Sequence, residues 1–303
     1  MASLLLRQVT EFFSKQLKQR AAANGRTVEQ EHRAILEEKL TEPPPEERHR
    51  EAVARRLNRL RYLLNESPRR PNMGVAEMAT ALGLNRVSDL ESYMLGEEEA
   101  PLDLLHHIAQ VFGANTDWLK FGKRRPFHWR LHRSSRGHGL VELIDKMKPE
   151  RVFFVRDWKS EIGAATMILQ LDDYRFEGLD SFWHISSHFG GTGAADLVAL
   201  RDSLLEIERR KDLYRITDGC DLPESRFDAL RDGEIWPGTV LLDQRYRSQW
   251  QDDFTDVFHK MPIAKEGDGY SHYGKGFMDA QDIVRSGVRY REEEAAKAEQ
   301  RKA

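Results

Sequence analysis

The sequence predicts a multidomain chain: a small β-α-α unit in front, an all-α domain in the middle, and an α+β or α/β domain behind. Three observations carry this. The 303 residues suffice for two or three domains. Apolar spacing is helical over 52–122 and shifts to strands alternating with helices from 140 onward. Two segments with the composition of connectors separate these regions, a proline run within 42–51 and a basic stretch at 123–139.

In the front unit, Leu4-Leu5-Leu6-Arg7-Gln8-Val9 reads as a short strand, followed by an amphipathic helix on which Phe13, Leu17 and Ala21 share a face. Asn24-Gly25-Arg26-Thr27 turns the chain, with Gly25 free to take φ > 0. Thr27 is the expected N-cap of a second helix, and Gln30 completes a capping box. Val28, Ile35, Leu36 and Leu40 form that helix's apolar face. If Leu4, Leu6 and Val9 pack inward, Ser3, Leu5 and Arg7 face outward. Such a unit cannot bury its apolar face alone, so a dimer is expected.

These residues resemble a ribbon-helix-helix module of the Arc-like class. Arg7, Leu17-Lys18-Gln19-Arg20-Ala21 and the run Gly25 to Leu36 are similar to FitA-type antitoxins, which repress their own operons and neutralise a partner nuclease toxin. The resemblance covers residues 1–41. It implies a paired β-ribbon in the major groove, with Arg7 reading guanine, Leu5 against a thymine methyl, and the helix N-terminus at Arg26 and Thr27 on a phosphate.

The proline run Glu42-Pro43-Pro44-Pro45-Glu46-Glu47 reads as a stiff extended spacer. Helical periodicity resumes at Ala52 with Val53, Leu57, Leu60, Leu63 and Leu64. Four short helices follow at 75–82, 87–95, 102–112 and 116–121, with Gly83, Gly96 and Gly113 at their ends and Pro101 at a helix start. Val75-Ala76-Glu77-Met78-Ala79, Leu82-Gly83-Leu84, Leu90, Ile108-Ala109 and Trp118-Leu119 resemble a Cro/CI-type helix-turn-helix domain. The resemblance implies a recognition helix from Asn85, with Asn85, Arg86 and Ser88 toward the bases. Asp89, Glu91 and Glu97-Glu98-Glu99 depart from a phosphate-facing surface. Arg124 and Arg125, in the basic connector that interleaves Phe127 and Trp129 with arginines, are candidate phosphate contacts.

The rear domain, 140–288, matches no family by inspection. Strands are expected at 151–156, 165–171, 182–185, 213–216 and 239–242, and helices at 195–210 and 247–258. The tail from Arg289 is charged and alanine-rich, a frayed helix or disordered. The glycine-rich turn 189–195 lacks a nucleotide fingerprint because Asp196 follows it, and reads as a tight turn. His184 and His188 are four apart and could face one way on a helix, but Phe182–Ile185 reads as a strand, so a metal site is not expected there. Asp172, Asp173, Asp252, Asp253 and Asp256 read as solvated carboxylates, and Trp158, Trp183, Trp236 and Trp250 as core.

Charge supports a division of labour. Residues 1–70 hold fifteen Lys/Arg against ten Asp/Glu, residues 71–139 eight of each, and the remainder 24 against 32. A basic front and an acidic rear suit a DNA-contacting end carrying a module that does not touch DNA. No run approaches a ~20-residue membrane span, no signal-peptide pattern is read, and Cys220 is the sole cysteine, so a cytoplasmic, nucleoid-associated protein is expected. The expected function is a dimeric, sequence-specific transcriptional regulator of double-stranded DNA, most simply a repressor, with no enzymatic activity, metal or cofactor. The rear domain would sense an effector, bind a protein or oligomerise. An antitoxin bound to a toxin, and a plasmid-partition or nucleoid-associated protein, are the alternatives.

Overall fold

A computed structural model describes residues 11–23, 27–32, 35, 45–67, 72–133, 139–158, 162–188, 192–258 and 273–301. The chain divides into two compact units, Met1–Ala52 and Val53–Ala303.

In the first unit, α1 spans Glu11–Ala23. The expected β-ribbon lies outside the described residues. A second helical stretch includes residues 28–32 and 35, and Thr27 starts it.

The boundary between units falls inside α2, Pro45–Asn65. Residues 45–51 are therefore helical, where an extended spacer was expected. Proline is at home in the first helical position, since its missing N–H would have no partner there. Beyond the boundary, Val53, Leu57, Leu60, Leu63 and Leu64 place one stripe of α2 in the core. Then come α3 (Val75–Ala81), α4 (Val87–Leu95), α5 (Leu102–Val111) and α6 (Thr116–Phe121). Gly83, Gly96 and Gly113 all take positive φ, between 64° and 75°. They stop these helices as the sequence implied.

Within the basic stretch, residues 126–130 pack against the body of the unit. Phe127 and Trp129 are buried, and the Trp129 indole donates to the Leu230 carbonyl at 2.9 Å. The Phe127 amide donates to Gly233 O at 3.0 Å, and Asn115 N to Pro126 O at 2.7 Å. Alternating aromatic and arginine residues served packing on one side and solvent on the other. The segment continues into β1, Arg130–His132.

The rest of the unit is α7 (Leu140–Met147), β2 (Arg151–Asp157), β3 (Ala164–Gln170), β4 (Phe176–Leu179), β5 (Trp183–His184), α8 (Gly193–Arg209), α9 (Lys211–Tyr214), β6 (Thr217–Leu222), α10 (Glu224–Arg231), α11 (Gly238–Leu241), β7 (Arg247–Ser248), α12 (Trp250–Thr255) and α13 (Lys275–Gln300). The sheet order is β1-β4-β3-β2-β6-β7, with β5 also on β3. It is mixed: β2 runs antiparallel to β3 and parallel to β6.

Strand periodicity sorts two hydrophobic layers. Phe153 and Val155 of β2 point into a core shared with α2 to α6, α10 and α11. Val152 and Phe154 point into a second core made with α7, α8, α12 and α13. The middle helices and the rear sheet thus share one continuous hydrophobic interior. An aromatic chain joins them: Phe112 meets Tyr174 edge-on at 5.0 Å, and Trp236 meets Phe176 at 5.6 Å. The separate middle and rear domains expected from the change of period are one body.

Three rear elements differ from expectation. The residues at 213–216 close the short helix α9, and the strand begins only at Thr217. The 239–242 run is helix α11, and 247–248 are strand where a helix was expected to start. Short apolar runs do not distinguish a buried strand from a buried helix turn. The tail residues 289–300 continue α13 as regular helix. Among the described residues, no helix is long and apolar enough to cross a membrane.

Candidate nucleic-acid interface

The best-defined local geometry in the first unit is a helix start. Thr27 N donates to Gln30 Oε1 at 2.9 Å, and Gln30 N donates to Thr27 Oγ1 at 3.1 Å. This reciprocal pair is the capping box expected from Thr-x-x-Gln. It leaves Thr27 exposed at the helix's positive end. Nearby, Arg20 of α1 places its Nε 2.8 Å from Glu31 Oε1, and Glu31 is wholly buried. A buried carboxylate requires such a partner, so this pair ties the two helices together. Ala21 is buried beside it, while Val28 stays 41% exposed. Ser3, Leu5, Arg7 and Arg26 lie outside the described residues.

In the second unit, Asn85, Arg86 and Ser88 sit at the start of α4, and all three side chains are exposed. Arg86 occupies the N-cap with extended φ, ψ of −137° and 132°, and its Nε lies 3.3 Å from Asp89. Asp89 and the run Glu97-Glu98-Glu99 put carboxylates at both ends of this helix.

Arg124 and Arg125 flank a cavity of about 170 Å³ that also includes His128, Arg130 and Arg231. Each expected arginine has a carboxylate nearby: Arg124 Nε lies 3.8 Å from Asp117, and Arg125 Nη1 lies 3.0 Å from Glu234. Both guanidinium groups are mostly exposed, so these pairs are weak and exchangeable. Partial burial, then Arg130 and Arg124, hold the His128 imidazole below the ordinary histidine value. Arg231 is itself paired with Asp228 and Asp232, and Asp232 lines the same cavity, so its charges are mixed. The sequence shows Arg130 only as one basic residue of the connector and does not single out Arg231. They are a hundred residues apart, and only the β1 segment's docking on α10 brings them together.

Residues 2–40 match the family described as Antitoxin FitA-like, ribbon-helix-helix. The match ends before α2. No curated protein and no solved structure gave a match to the chain. The FitA-like segment contains Arg7, the Arg20–Glu31 pair and the Thr27 capping box. The middle helices and the rear sheet lie beyond it.

The other sequence candidates resolve as packing or surface. The His184 ring nitrogen bonds the His188 carbonyl at 3.2 Å. Asp172 organises the β3–β4 turn by accepting from the Tyr174 and Arg175 amides, each at 2.9 Å. Asp252 and Asp253, expected as solvated carboxylates, accept instead from the Tyr214 and Tyr273 hydroxyls at 3.0 and 2.6 Å. Trp183, Trp236 and Trp250 are buried, whereas Trp158 is 38% exposed.

Proposed function

We propose that the protein is a DNA-binding regulator that acts as a dimer through its first unit. The match of residues 2–40 to a ribbon-helix-helix family carries this reading. The Thr27–Gln30 capping box supports it, because it builds the helix N-terminus that would rest on a backbone phosphate. Arg7 reads the groove, and Ser3 and Leu5 flank it. Exposure of Val28 is consistent with a unit whose apolar surface is completed by a second copy. The second unit takes no catalytic part in this reading. Asn85, Arg86 and Ser88 act as a secondary contact, and Arg124 and Arg125 supply phosphate contacts without sequence preference. Repression follows from occupancy of an operator.

The test is a mobility-shift titration on DNA from upstream of the protein's own gene. Wild-type protein is expected to bind one site specifically, and Arg7→Ala to bind no better than to random DNA. Equal affinity of the two proteins rejects the reading. A second reading, an antitoxin that also controls its operon, is favoured by the matched family's description. Stoichiometric co-purification with a small nuclease encoded beside it supports that reading, and a lone dimer from the native host counts against it.

A further inference from the structure

The second unit contains a cavity of about 190 Å³ at the carboxyl end of β2, which runs parallel to β6, and none of the residues assigned to DNA lines it. Open α/β sheets characteristically bind ligands at that end of their strands. Arg156, next to last in β2, is 2% exposed. Its Nε donates to Asp221 Oδ1 at 2.8 Å, and Asp221 is its register partner on β6. Phe277, Tyr273 and Trp250 surround the guanidinium, with ring centroids 5.0, 5.1 and 5.6 Å from Cζ. These contacts lock the group in place and still leave Nη2 buried with no hydrogen-bond partner. A buried guanidinium nitrogen with no acceptor is costly, so it marks a position where an acceptor belongs.

The same cavity is walled by the first turn of α13, the longest of the described helices. That helix starts at Gly274, whose φ of 86° suits glycine, and it has neither a side-chain cap nor an acidic residue in its first turn. Lys275 occupies the first helical position instead. A lysine at a positive helix end is the unfavourable arrangement. An uncapped helix end, a lysine and the Nη2 arm of Arg156 therefore line one cavity. Asp157 also lines the cavity, is 5% exposed and has an interaction of its own.

We propose that this cavity binds a phosphate oxyanion, either free or as the phosphoryl end of a small metabolite. The α13 amides, Lys275 and Arg156 hold the charged oxygens. Asp157 accepts from a P–O–H group, which phosphate retains near neutral pH and sulfate does not. The proposal is independent of the DNA-binding reading, and its test contains no DNA.

The full chain is titrated with inorganic phosphate at pH 7, followed by calorimetry and thermal unfolding, with sulfate at matched ionic strength as the comparison. Saturable phosphate binding that raises the melting midpoint is expected, with sulfate at least tenfold weaker. Lys275 is exposed, so Lys275→Gln folds normally; it should weaken phosphate about tenfold, the effect of one charge-assisted contact. Lys297→Gln, at the other end of the helix, should leave binding unchanged. Glycerol phosphate binding as tightly as phosphate identifies a metabolite's phosphoryl end, and its exclusion identifies free phosphate. Absence of saturable binding, equal binding of sulfate, or unchanged affinity in Lys275→Gln overturns the proposal.

Discussion

Thr27 and Glu31 show how two side chains organise a short two-helix unit. Thr27→Ala removes one arm of the capping box and should cost about 1 kcal/mol, read as a lower urea midpoint for the first unit. Glu31→Ala removes the Arg20 ion pair at the same junction; because Arg20 is half exposed and stays solvated, the loss should be about 1 kcal/mol. His128 provides a different kind of measurement. Its proton is held weakly by partial burial and by Arg130 and Arg124. The neutral ring is thus favoured in the folded state, and its contribution to stability declines as pH falls below the ordinary histidine value. If the neighbouring arginines rest on DNA phosphates, adding duplex should move the His128 titration upward in an NMR pH series. An unchanged titration would separate that arginine cluster from DNA.

At the scale of elements, Gly233 controls how the β1 segment docks. Its φ is +72°, and a Cβ there would stand 2.2 Å from Phe127 O. Gly233→Ala should therefore destabilise the second unit by roughly 1–3 kcal/mol, seen as a reduced melting temperature with the sheet's circular dichroism intact below it. The helices 75–121 were legible because glycine stops and apolar spacing agree at each boundary. Strands β2 and β3 were legible as continuous apolar runs buried on both faces. β4 was not, because Glu177 and Gly178 dilute a four-residue strand. Gly178 is small for a long-range reason: the Trp129 ring lies 2.9 Å from where its Cβ would be. Of the candidate interface, the helix cap was readable from Thr-x-x-Gln alone. The company of Arg130 and Arg231 depends on tertiary docking, which no local pattern encodes.

For the whole molecule, the shared core changes what a fragment can do. Residues 140–303 alone would expose Phe153, Val155, Phe176 and Trp236, which face the middle helices. That fragment should be insoluble or molten, whereas 53–303 should be a cooperative monomeric body. Limited proteolysis and near-ultraviolet dichroism of both fragments distinguish the cases. The change of apolar period near residue 140 marks a change of layer within one interior. Composition along the chain shows the period, but not which surfaces meet.

Cys220 lies at the centre of that body, fully buried on β6, and burial pushes its thiol well above the usual range. As the chain's sole sulfhydryl, it is a native reporter of breathing. Pulsed alkylation should leave it unlabelled until the sheet opens, with a labelling rate set by the opening free energy. Any small molecule that settles in the second unit should slow that clock in proportion to its occupancy, so ligands can be screened without knowing what they regulate.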